Sequence, residues 1–364
     1  MAAKAEVLPR NKLSVWERTT MILNLVPLPI VLTWALVKSP FTDYGRSKSW
    51  KRIVIDRVTL WVVSHFNRRQ TRAFFGEAST TYSAYMKSKN IEPVIDDLGE
   101  DATLFWLGPK RTDRVILYVH GGAFLFGPIE SAPSYWSFVQ EQLEKRGKPT
   151  AIALATYTLV PDAYFPVQIK QVVLAIQHLI KSGIKPENIQ LAGDSAGANI
   201  LHGVISHVLH PIEGVPKLTL SAPLAGVYMM SPWATMGDDE IIYTNQHIGD
   251  MLDVPTGLYW AGKVLGPLPA SALPYLNANG APPNWLEGVD KVVKRVLISV
   301  GGAEVLRDAV ILYSKTFEKH HKDTTFFLQD NGIHIDPMLS FLVGDKDLGK
   351  LTPFVLDWLD KGLS

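Results

Sequence analysis

The chain has 364 residues, 47% apolar and 20% charged, the composition of a packed globular protein rather than a disordered one. It has no cysteine, which excludes disulfides, Cys-ligated zinc, iron–sulfur clusters and a cysteine nucleophile. A net charge of +1 conceals an asymmetry: residues 1–75 carry 13 Lys/Arg against 4 Asp/Glu, so an anionic surface is expected beside that end, while no binding motif interleaves those charges and nucleic acid is not expected as a partner.

Residues 19–37 form an uncharged run of 19 residues, just long enough to cross a bilayer as a helix. Pro27 and Pro29 weaken a continuous helix there. Two readings stay open: a membrane segment, or a hydrophobic lid packed over the active site of a soluble enzyme. Lys4, Arg10, Lys12 and Arg18 precede the run, and Lys38, Arg46, Lys48, Lys51, Arg52 and Arg57 follow it. Residues 46–75 mix these charges with Trp50, Ile53, Trp61, Val62 and Phe66. They read equally as an amphipathic helix at a lipid surface or as cap helices with a solvated basic face. The division expected is 1–45 as a hydrophobic segment, 46–101 as helical cap and 102–364 as catalytic domain. A membrane association such as the endoplasmic reticulum is expected, otherwise the cytoplasm. The chain lacks an Asn-x-Ser/Thr sequon, which mildly disfavours a lumenal catalytic domain.

From about residue 102, short β-branched runs predict buried parallel strands at 115–119, 152–157, 189–192, 227–230, 296–300 and 325–328. Residues 167–180 have apolar positions at helical spacing, with Gly183 as a stop. Alternating strand and helix predicts an α/β fold with a doubly wound, mostly parallel sheet. An irregular insertion at 233–290 carries Trp233, Tyr243, Tyr259, Trp260, Tyr275 and Trp285. Some of these are expected to line a pocket, and at least half to pack the insertion onto the sheet.

Gly193-Asp194-Ser195-Ala196-Gly197 lies between a predicted strand and a helix running to about Leu209. In that context it is a nucleophile elbow, a turn too sharp for side chains beside the serine. His120-Gly121-Gly122-Ala123-Phe124 follows the strand at 115–119, and the N–H groups of Gly121, Gly122 and Ala196 are the expected oxyanion hole. His120 is expected to anchor that loop. Serine needs a base, and His334 follows the last predicted strand. His320 and His321 read as a solvated helix end, and His178, His202, His207 and His210 as helical and structural. The acid should lie between 300 and 334, where Glu304 precedes Asp308. Glu304 is in the loop position and is preferred.

Together His120–Phe124, Tyr157-Thr158-Leu159-Val160-Pro161, Gly193–Gly197, Ser231-Pro232-Trp233, Glu304–Asp308 and His334 resemble the hormone-sensitive-lipase-like branch of the α/β hydrolases. The resemblance covers about residues 102–345. It implies a helical cap built from the N-terminal region and the insertion. Pro274-Tyr275-Leu276-Asn277, Ala281-Pro282-Pro283-Asn284-Trp285 and the hydrophobic N-terminus look like fungal steryl acetyl hydrolases and related fungal esterases. That implies a lipophilic small-molecule ester as substrate, with acetyl the acyl group. Two-step acyl transfer through Ser195 needs no cofactor and no metal. An amidase or formamidase, an acyltransferase, and a ligand-binding receptor on the same fold are the competing readings. The intact Ser195, Glu304 and His334 argue against the receptor.

Overall fold

The computed structural model describes residues 13–237 and 249–363. Eight strands form one sheet: β1 (Val94–Gly99), β2 (Ala102–Trp106), β3 (Val115–Val119), β4 (Ala151–Ala155), β5 (Ile189–Asp194), β6 (Gly226–Met230), β7 (Val296–Gly301) and β8 (Thr324–Gln329). Their order is β1-β2-β4-β3-β5-β6-β7-β8. Pairing is parallel from β4 through β8 and antiparallel at β1–β2 and β2–β4. All six predicted strands are present.

β3 to β7 are buried along their whole length because helices cover both faces. Alternate residues of β3 separate into two cores. Val115, Leu117 and Val119 pack with the helices Val167–Lys181 and Ser195–Leu209. Ile116 and Tyr118 pack with Ala132–Lys145 and Leu351–Gly362 on the opposite face. The helix predicted at 167–180 is therefore found almost to the residue, and Gly183 beyond it takes φ +92°.

β1 and β2 have weaker sequence signals. β1 begins at Val94, inside the stretch 46–101 expected to be helical throughout. Its residues alternate half-buried and exposed, and Asp96 is on the inner side because Trp106 Nε1 donates to it at 2.9 Å. An acidic residue at an inward position masks the period of two.

The N-terminal segment forms two helices, Val15–Leu25 and Leu28–Lys38, broken at Pro27. Val15–Phe41 is long and apolar enough to cross a membrane by length and composition, with mean hydropathy 2.0, and none of the residues in its most apolar window is buried. Polar tethers hold the segment against the cap: Trp61 Nε1 donates to the Asn24 carbonyl at 2.7 Å, and Asn24 Nδ2 to the His65 carbonyl at 2.8 Å. The basic stretch at 46–75 resolves into Trp50–His65 and Arg68–Phe75, the second opened by an Asn67–Gln70 capping box. Its basic face is not all solvated: Arg52 is fully buried. In the insertion, Val254–Leu265 is the main described helix, and Tyr243 lies outside the described residues.

Candidate active site

β5 ends in the elbow, and Ser195 takes φ +50° at the start of its helix. The turn tolerates no side chain at its flanks. A Cβ on Gly197 would sit 2.1 Å from the Val119 carbonyl oxygen, and one on Gly193 would sit 2.9 Å from the Ala198 nitrogen. Ser195 is thus held in a left-handed conformation that L residues rarely adopt.

The loop after β8 carries His334 and the loop after β7 carries Glu304. His334 Nδ1 donates to Glu304 Oε1 at 2.7 Å. The second oxygen of Glu304 accepts from the Ser231 hydroxyl at 2.8 Å and from the Gly301 N–H at 2.9 Å. Burial alone would lower the pKa of His334. The Glu304 carboxylate, with Asp250 and Asp194 further off, outweighs it and raises the pKa above the usual histidine value. Asp308, the other carboxylate considered, lies in the first turn of Arg307–His320 and accepts from Arg307 Nε at 3.0 Å. It takes no part in the Glu304–His334 pair.

Ser195 and His334 line one cavity of about 40 Å³ with Gly122, Ala123, Phe126, Met251, Leu252 and Trp260. A second, of about 20 Å³, lies against Ser195, Trp233, Leu252 and Trp260. Of the insertion's aromatics, Trp233 and Trp260 face these cavities. Trp285 instead donates to Ser206 Oγ at 2.9 Å and Tyr275 to the His210 carbonyl at 2.9 Å, both packing the insertion onto the sheet's helices. No residue of 19–37 lines either cavity, so the reading of that run as a lid over the site is not supported. A larger cavity of about 1000 Å³, between Trp34, Tyr44, Arg57 and Leu328, excludes Ser195 and His334.

One oxyanion donor expected from the sequence is corrected. The Gly121 N–H donates to Asp194 Oδ1 at 3.0 Å, so it does not face the cavity. Asp194, fully buried, also accepts from the Tyr118 hydroxyl at 2.5 Å and so ties the loop to the elbow. Gly122, Ala123 and Phe124 have φ of +107°, +53° and +63° in succession. Among the described residues no hydrogen bond from the N–H of Gly122 or Ala123 is found. The Ala196 N–H lies in the first helical turn, where no intrahelical partner exists.

His120 anchors the loop, as expected. Burial lowers its pKa to about 4, its ring stacks on Tyr157 at 4.4 Å, and Tyr157 donates to the His120 carbonyl at 3.0 Å. His321 departs from its expected solvated position: it is buried, with Nε2 2.9 Å from the Val293 carbonyl oxygen. The roles of Asp194, Ser231 and Asp250 were not read from the sequence. Asp194 is inside the elbow motif and Ser231 inside Ser231-Pro232-Trp233, so both were visible as residues but not as contacts.

Comparison with known proteins agrees with this architecture. Residues 116–337 match the family described as alpha/beta hydrolase fold. An acetyl-hydrolase of Streptomyces hygroscopicus is 28% identical over 212 residues, covering 57% of this chain and 62% of its own. Arylacetamide deacetylase of Bos taurus is 32% identical over 116 residues, covering 30% and 28%. The matched stretch thus spans less than two thirds of either relative. A crystal structure of an esterase from the bacterial hormone-sensitive lipase family aligns with TM-score 0.66 at 21% identity, over 87% of this chain and 99% of that one. The family match covers all but the first residue of β3, β4 to β8, the elbow and the loops of Glu304 and His334: this chain belongs to the α/β-hydrolase fold family.

Proposed function

We propose that the protein is a serine carboxylesterase that hydrolyses short-acyl esters, acetyl foremost, of bulky lipophilic alcohols such as sterols or secondary metabolites. The observation that carries the reading is the buried Glu304–His334 pair facing the same cavity as a serine seated on a nucleophile elbow. Ser195 Oγ attacks the ester carbonyl while His334 accepts its proton, and Glu304 holds the imidazole in the tautomer that can do so. The oxyanion is held by the N–H groups of Gly122, Ala123 and Ala196. His334 then protonates the leaving alcohol, and water cleaves the acyl-enzyme by the reverse sequence.

Cavity size supports the acyl preference. A water needs roughly 10–15 Å³ of such space, so about 40 Å³ beside Ser195 suits a group of acetyl size. The named acetyl-hydrolase relative points the same way. Trp233, Leu252 and Trp260 supply apolar walls for the alcohol. The exposed apolar surface of Val15–Phe41, followed by Arg46, Lys48, Lys51 and other basic residues, supports membrane association through the N-terminal segment.

A fluorophosphonate probe should label Ser195, and a series of 4-nitrophenyl esters should fall in kcat/KM from acetate to palmitate. Labelling that survives Ser195→Ala, or a rate climbing steadily with chain length, overturns the reading. Faster turnover of aryl acetamides than of the matching acetates would favour an amidase instead.

A further inference from the structure

Asp250 lies in the insertion and is fully buried. Its carboxylate accepts three backbone N–H groups: Val305 to Oδ2 at 2.7 Å, and His334 at 3.0 Å and Met251 at 2.7 Å to Oδ1. Two of those amides belong to the triad loops, one directly after Glu304 and one on His334 itself. The carboxylate is therefore a single buried fastener between the acid loop, the base loop and the cap.

The neighbours of Asp250 make the fastener a connection and not an isolated brace. Met251 and Leu252 line the cavities at Ser195. Asp253 caps Val254–Leu265 through the Thr256 N–H at 2.8 Å, and its other oxygen accepts from Ser64 of the helix Trp50–His65 at 2.5 Å. Four consecutive residues thus contact the triad loops, the cavity wall and two cap helices. With cavities this small, a bulky substrate enters only by displacing that wall, and moving Leu252 moves Asp250.

We propose that Asp250 is a positioning residue for the triad: by accepting the Val305 and His334 N–H groups it fixes the acid and base loops in register, and it makes that register depend on the cap being seated. The proposal rests on the triad reading above. Electrostatically, Asp250 faces Glu304 and His334, and His334 faces Glu304, Asp250 and Asp194. Burial and the Glu304 carboxylate push the pKa of Asp250 upward, while the N–H donors favour its ionised form. Its negative charge helps raise the pKa of His334.

Asp250→Asn keeps the shape but replaces one acceptor oxygen with a donor and removes the charge. In the full-length enzyme with 4-nitrophenyl acetate, kcat should fall by about 10²-fold at nearly constant KM, the size expected for a misplaced catalytic group. The acid limb of kcat/KM should also shift to lower pH, because His334 loses a neighbouring negative charge. A merely structural role would not move that limb. Unchanged kcat, or a fall in kcat with the limb unmoved, overturns the proposal. Should Asp250→Asn fail to fold, amide exchange in the unaltered enzyme decides: Val305 and His334 should exchange as slowly as β7, and fast exchange at either overturns it. Ser195→Ala serves as the separate control. If it retains turnover, the triad reading has failed; if it is inactive and Asp250→Asn is normal, only the role of Asp250 falls.

Discussion

Glu304 has both carboxylate oxygens engaged, one by His334 and the other by Ser231 and Gly301. Glu304→Gln places an amide nitrogen against one of those donors and misaligns the imidazole, so kcat should fall by about 10⁴. Asp308→Asn, outside the Glu304–His334 pair, should leave kcat within a few-fold, and steady-state kinetics of the two variants separates the two carboxylates. Ser195→Ala should lower kcat by on the order of 10⁶. The raised pKa of His334 gives a signed expectation. The base must be neutral to accept a proton, so kcat/KM should rise with pH through a midpoint above the usual histidine value of about 6.5. A midpoint below that value would contradict the electrostatics around His334. Ser195, Glu304 and His334 were legible in the sequence because their chain order and loop positions follow strands with strong apolar signals. The oxyanion loop was legible only to within one residue. Gly121 and Gly122 were both expected as donors; that the Gly121 N–H turns to Asp194 instead is something no local pattern encodes. Asp250 was not legible, since its partners are backbone amides far away in sequence.

Between elements, a buried ion cluster joins the helix Trp50–His65 to the helix Asp336–Val343. Arg52, on the cap helix Trp50–His65, donates to Asp336 Oδ1 at 2.8 Å, to Asp56 Oδ1 at 3.3 Å and to Ser340 Oγ at 2.7 Å. Lys48 adds a contact to Asp336 at 2.6 Å. Burial alone would raise the pKa of Asp336, but Arg52 and Lys48 together hold it below the usual carboxylate value. Asp336 stands two residues after His334 and begins the helix Asp336–Val343, so the cap is bonded to the helix that directly follows the His334 loop. Arg52→Ala leaves two carboxylates buried beside an empty site. It should cost about 3–5 kcal/mol in denaturant unfolding. A loss below about 1 kcal/mol would show that water or Lys48 replaces the guanidinium. The sequence showed Arg52 only as one of several basic residues beside an apolar run. Side-chain period cannot distinguish a solvated arginine from one inserted into an acidic pocket. β1 and β2 were missed for a related reason, their inward acid being paired by residues from elsewhere.

For the molecule as a whole, the N-terminal helices set the outer boundary. They are tethered by Asn24, and by Gln70 Nε2 donating to the Glu17 carbonyl at 2.7 Å, while Trp16, Ile22, Ile30, Trp34 and Phe41 stay exposed. Full-length enzyme should sediment with membranes and resist extraction by high salt, whereas a form lacking residues 1–41 should be soluble and keep its esterase activity. Tryptophan emission of the full chain should shift to the blue with anionic vesicles, since Trp16, Trp34 and Trp50 are exposed. A soluble full-length enzyme with no such shift would rule out lipid contact. Six of the eight strands and the helices Val167–Lys181 and Ser195–Leu209 were legible, because buried strands and amphipathic helices write their periods locally. The attachment of the N-terminal run was not, because it depends on a few polar tethers to helices outside the run.

Ala123 has a consequence for how this enzyme could be altered. It occupies a left-handed backbone position, and its side chain lines both cavities at Ser195. An alanine there is strained by about 1 kcal/mol or more relative to glycine. Ala123→Gly should therefore raise the midpoint of unfolding while widening the acyl site by one methyl, so that propionate and butyrate gain on acetate. Robustness and selectivity pull in opposite directions at this one carbon, and the native chain keeps the narrower site at the expense of a more relaxed loop.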